Sequence, residues 1–74
     1  MRLPNKVTTY EKSVISKFPT VLSLLEENDY YVADLFLKTK DVIQGAKEFS
    51  DVLDCLFALG KIEFLDGGII HYVG

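Results

Sequence analysis

Apolar residues recur at helical spacing through most of this chain and switch to a period of two only near its end. The clearest helical stretch runs from Lys47 to Leu59. There Phe49, Val52, Leu53, Leu56 and Leu59 follow the i, i+3, i+4, i+7 rule that gathers side chains on one face. Gly60 follows, where a helix terminus favours a residue free to adopt positive φ. Beyond it, alternating residues flank Asp66-Gly67-Gly68, a strong hairpin signal. Two registers are open. An Asp66-Gly67 loop pairs Leu65 with Gly68, and a Gly67-Gly68 loop pairs Asp66 with Ile69. The choice matters because a one-residue slip exchanges the faces of Ile69, His71 and Val73 with those of Ile70 and Tyr72.

Upstream, Arg2 to Val7 reads as an extended lead, with Pro4 excluding helix at Leu3. Thr8 and Glu11 offer a capping box, and Val14, Ile15, Phe18, Val21, Leu22 and Leu25 continue as a helical stripe. Pro19 sits within that stripe and deprives residue 15 of a hydrogen bond. Either the helix kinks, or it stops near Lys17 and a second helix begins with Pro19 in its first turn. The unbroken phase of the stripe favours the kink. Asn28 is the expected left-handed cap, and Tyr30-Tyr31-Val32 is a β-prone segment long enough only for an edge strand. Ala33 to Ile43 reads as a second helix with Leu35, Phe36, Thr39 and Val42 or Ile43 inward, and Gln44-Gly45 breaks it from the third. The sum is an α+β chain: a winged helix-turn-helix of three helices with a C-terminal β-hairpin wing, forming a single domain over residues 1–74.

Composition narrows the class. A 74-residue chain makes one small domain that buries roughly 60% of its unfolded surface. With 49% hydrophobic and 26% charged residues it lies far from the disordered class, and its apolar fraction suits a body that docks on a partner. The single cysteine, Cys55, excludes an intrachain disulfide and reads as a small, largely buried helical residue. Met1 to Lys6 leads into no apolar signal region, and no apolar run approaches the ~20 residues of a bilayer span. The expected location is cytoplasmic. Val73-Gly74 follows the last strand directly, so no functional tail is expected.

Candidate chemistry is sparse. His71 has no metal-ligand companion and reads as a solvent-edge wing residue, while Gly67-Gly68 lacks the strand and helix context of a phosphate loop. The expectation is a non-enzyme with no cofactor, metal or catalytic residue. Net charge is −3, unevenly spread. Residues 1–17 carry Arg2, Lys6, Lys12 and Lys17 against Glu11 alone, whereas the remainder sets four lysines against ten acids. The exposed face of the third helix offers Lys47, Glu48, Ser50, Asp51, Asp54 and Ala58, and its acids would confront phosphate oxygens, which argues against base readout. Glu48, Asp51 and Asp54 then serve either as solvation and dipole complement or as an acidic protein-docking face. Tyr30, Tyr31 and Tyr72 gather at the sheet corner, where tyrosine is ordinary packing or interface core.

Leu3-Pro4-Asn5-Lys6-Val7-Thr8, Ser13-Val14-Ile15-Ser16-Lys17-Phe18-Pro19 and Leu53-Asp54-Cys55-Leu56-Phe57-Ala58-Leu59-Gly60-Lys61-Ile62-Glu63 carry a resemblance that covers nearly the whole chain. They resemble the small middle-component proteins of bacterial ABC-three-component systems, the family numbered six or seven. The resemblance implies a non-catalytic subunit placed between an SMC/Rad50-like ABC ATPase and an effector, often a nuclease, in defence against phages and plasmids. It carries over no catalytic or partner-binding residues. The leading expectation is therefore a protein-binding adaptor. The alternative is a winged-helix DNA-binding regulator using the wing with Arg2, Lys6, Lys12 and Lys17. A third reading is a small antitoxin-like homodimer.

Overall fold

The computed structural model describes the backbone of residues 5–74, with side chains from Tyr10 onward. The order of elements is α1 (Asn5–Ser16), α2 (Phe18–Glu27), β1 (Tyr30–Tyr31), α3 (Val32–Lys38), α4 (Gly45–Ala58), β2 (Ile62–Leu65) and β3 (Ile69–Tyr72). This is the expected α+β arrangement with a C-terminal hairpin. Among the described residues, no helix is long and apolar enough to cross a membrane.

The first expected helix is two helices, not one kinked one. Lys17 separates α1 from α2, and its backbone N–H donates to the Val14 carbonyl (3.1 Å) in a tight turn. Pro19 falls in the first turn of α2, where its missing N–H is an orphan donor in any helix. The stripe kept its phase because Lys17 remains near helical dihedrals (φ −89°, ψ −10°). Residues 5–7, expected as extended lead, are helical, and Thr8 lies inside α1 and not at its cap. Leu3 and Pro4 lie outside the described residues.

Asn28 is extended (φ −154°, ψ 154°), not left-handed, and leads directly into β1. The second expected helix is shorter than its pattern. α3 ends at Lys38, and the buried Thr39 caps it by donating its hydroxyl to the Leu35 carbonyl (2.9 Å). A hydroxyl that competes for a helix carbonyl favours a terminus over continuation. The Ile43 N–H then bonds the Thr39 carbonyl (2.8 Å), which turns Ile43 into the core and leaves Val42 exposed.

α4 ends in a Schellman motif. The Gly60 N–H bonds the Phe57 carbonyl and the Lys61 N–H bonds the Leu56 carbonyl, both at 3.0 Å, with Gly60 at φ +76°. The hairpin uses neither two-residue loop. Leu65 pairs with Ile69, leaving Asp66-Gly67-Gly68 as a three-residue loop whose two glycines both take positive φ. β3 is central, with β1 on one side and β2 on the other. Tyr30 pairs with Ile70, Phe64 with Ile70, and Ile62 with Tyr72, so these residues share the sheet face turned to the helices.

That face closes a single core. Val21, Leu35, Val52, Leu56, Ile62 and Ile70 are fully or almost fully buried, and Phe36 packs on Phe49 with ring centroids 5.0 Å apart. Two predicted inward residues point outward instead: Ile15 is 58% and Leu59 62% exposed. The opposite sheet face is tied by His71, whose Nδ1 lies 2.7 Å from Asp29 Oδ1 just before β1. Hydrogen bonding to Asp29 raises the imidazole pKa above its ordinary value of 6.5.

Two outcomes are expected. In Gly60→Ala a new Cβ meets nothing within 4 Å, so the cost is purely conformational; urea unfolding should show a loss of about 1 kcal/mol. The Asp29–His71 pair adds stability that is complete below pH 6.5 and lost as pH rises through the raised value. His71 is the only histidine, so its ring proton resonance reports directly: it should titrate above 6.5 in the native protein and at lower pH in Asp29→Asn.

Candidate functional site

The three acids expected on one exposed face of α4 have three different fates. Glu48, the first, is buried. Its Oε1 accepts the Gln44 N–H at 2.9 Å, its Oε2 accepts the Ser13 hydroxyl at 2.7 Å, and Lys17 Nζ stands 3.4 Å from Oε1. The reason is position. One turn into α4, Glu48 reaches back to the helix entry, where α1 lies against it, so the carboxylate meets an orphan amide and two α1-side donors together. The Gln44 amide and then the Ser13 hydroxyl hold its pKa below the ordinary range, with Lys17 adding to them and burial opposing. Glu48 is therefore a structural tie and not part of an exposed face.

Asp51 lies one turn further along. It accepts the Tyr10 hydroxyl from α1 and pairs with Lys47 at 3.2 Å, and the Lys47 ammonium sits 5.5 Å from the Tyr10 ring centroid. The Tyr10 hydrogen bond, then Lys47, lowers the Asp51 pKa, and the same bond raises that of Tyr10. Asp54 is exposed.

Between α1 and α4 runs an open groove of about 380 Å³, lined mostly by apolar surface from Tyr10, Val14, Ile15 and Cys55, with Glu11, Asp51 and Asp54 around it. Cys55 is exposed in it, contrary to the burial expected of a small helical residue. It lies on the α1 flank of α4, and the buried arc of the helix does not reach that far. On the other flank, Phe57 stacks with Phe64 of β2 at 5.2 Å, and both remain about half exposed (53% and 45%). Phe57 fits the apolar stripe of α4 poorly, and that misfit was the available signal. Cys55 and Phe57 are about 200° apart around the helix, so the two apolar surfaces face different directions.

The tyrosines separate as well. Tyr30 and Tyr72 pack partly buried against the core, whereas Tyr31, on the opposite sheet face, is 56% exposed. Of the basic set, Lys17 is engaged by Ser13 and Glu48 with its side chain only 13% exposed, and Lys12 is exposed. Arg2 lies outside the described residues, as does the side chain of Lys6. Among the described residues, no group of three or more His, Cys, Asp or Glu is placed to hold a metal ion.

The family described as ABC-three component (ABC-3C) system Middle Component 7 matches residues 3–70. No curated protein and no solved structure matches the chain. A match over that span covers almost all of the 74 residues, so the chain belongs to the ABC-3C Middle Component 7 family.

The Glu48 tie makes a quantitative prediction. Glu48→Ala strands the Gln44 amide, the Ser13 hydroxyl and the Lys17 ammonium, and should lower unfolding free energy by about 2–3 kcal/mol at neutral pH. Because the folded-state pKa is depressed, the native contribution is present above the ordinary glutamate value and lost as pH falls through the depressed one. Urea midpoints measured from pH 7 to 3 should therefore converge between native protein and Glu48→Gln at the acid end.

Proposed function

We propose that this middle component is a non-catalytic, cytoplasmic adaptor. It links an SMC/Rad50-like ABC ATPase to an effector such as a nuclease, in a complex that defends bacteria against phages and plasmids. Membership of the ABC-3C family carries the reading. The surface supports it. As many large apolar residues are exposed as are buried, eleven of each among the described residues. On so small a body this is the surface of a subunit that docks. The groove between α1 and α4 and the Phe57–Phe64 patch lie on different flanks of α4. An adaptor needs two such separate surfaces.

The order of helix, strand, two helices and hairpin supports a winged-helix reading in which the broken α1–α2 unit is the first helix. In a DNA-reading member α4 would enter the major groove. Its exposed acids oppose that use, and engagement of Lys17 with Glu48 removes one of the four bases available to the regulator alternative.

Co-expression of the tagged protein with the ATPase and effector of its own system tests the proposal. Both should be retained, and the ATPase and effector should fail to associate without it. Purification alone from such cells refutes the adaptor. Retardation of duplex DNA at low salt, fading steeply as salt rises, would favour the regulator.

A further inference from the structure

Resting on the adaptor reading, we propose that the groove between α1 and α4 receives a basic amphipathic helix of a partner subunit. Three observations define the occupant. The floor is apolar and open: Val14 and Cys55 line it, and Ile15 stands beside them with more than half its surface in water. The walls are two helices packed side by side, so a third helix laid between them completes ridge-into-groove packing and presents apolar residues at i, i+3 or i+4, and i+7. The rim is acidic. Glu11 on one wall and Asp51 and Asp54 on the other line the groove, Asp51 paired with Lys47, and among the described residues no lysine or arginine lines it. A lysine- or arginine-flanked helix meets that rim with opposite charge on both sides.

The same charges argue against a second copy of this chain as the occupant. Each copy carries a net charge of −3, and a two-fold contact through the groove would set acidic rim against acidic rim. A strand suits the site less well than a helix, because the groove is bounded by side chains and offers no free sheet edge.

Cys55 supplies the readout, since it is the only cysteine and lies exposed in the groove. The full-length protein is treated with fluorescein maleimide, alone and in the co-purified complex with the ATPase and effector of its system. Alkylation of Cys55 should slow at least tenfold, by order of magnitude, in the complex. Partner affinity should fall about tenfold in Glu11→Lys/Asp54→Lys, with the loss concentrated at low salt, and about tenfold or more in Ile15→Asp. Leu37→Asp, at an exposed apolar position on α3, should change it less than about twofold. Should Ile15→Asp fold poorly, the double charge reversal at two exposed positions still decides the matter. Undiminished Cys55 reactivity in an intact complex overturns the groove and leaves the adaptor standing. Protection that grows with concentration of the protein alone assigns the groove to a second copy and overturns the proposal. Failure of the native protein to capture either subunit removes both readings.

Discussion

A buried carboxylate is among the most costly groups a small protein can hold, and Glu48 is made tolerable by three donors from two places in the chain, one of them the Lys17 ammonium. Gln44 comes from the entry to α4, and Ser13 and Lys17 come from the end of α1 and the turn after it. Satisfying Glu48 therefore fixes the rotation of α4 and the line along which α1 approaches it. The break at Lys17 has its counterpart here, because the residue that leaves the helix register is also the one whose ammonium reaches the carboxylate. Once α1 is pinned at this end, Tyr10 falls beside Asp51, and the space between the two helices opens as a groove floored by Val14, Ile15 and Cys55.

The second constraint is size. A body of this size cannot cover all the apolar surface its sequence carries. The core takes Leu35, Val52, Leu56, Ile62 and Ile70, while Phe57, Phe64, Leu37, Ile15 and Leu59 stay about half or more exposed. Part of what is left over lies at the α1 flank of α4 (Tyr10, Ile15) and at the contact of α4 with β2 (Phe57, Phe64), while Leu37 stands apart on α3; surface of this kind suits a subunit whose remaining burial comes from partners. The wing contributes through register: with Leu65 opposite Ile69, Phe64 shares a face with Ile70 and lands against Phe57.

Charge divides along the same lines. A helix in the position of α4 is where a DNA reader would place its bases, yet Asp51 and Asp54 lie there and Lys17 is turned inward. Duplex affinity depends on cations released from phosphates by free lysines and arginines. Among the described residues, the groove beside α4 offers carboxylates around an apolar floor. Membership of the ABC-3C middle-component family is in keeping with the proposed docking role of that surface.

By itself the sequence determined the elements: the helical stripe of α4, the Gly60 terminus, the Tyr30-Tyr31 edge strand, the hairpin around Asp66-Gly67-Gly68, and the α+β order that follows. These depend on local periodicity and on glycine's freedom at positive φ, which are properties of neighbouring residues. The break at Lys17 and the length of α3 escape local periodicity because a stripe can keep its phase across a break and because Thr39's hydroxyl bond to Leu35 competes with continuation of the helix. The site lay further from view. Whether Glu48 points to water or to Ser13 and Lys17, and whether Cys55 is buried or exposed in a groove, depends on where α1 and the turn after it come to rest, far away in sequence. Helical periodicity gives the angle of each side chain around its own axis. Only the tertiary structure decides which angles another helix covers, because burial and hydrogen bonding are properties of pairs of elements.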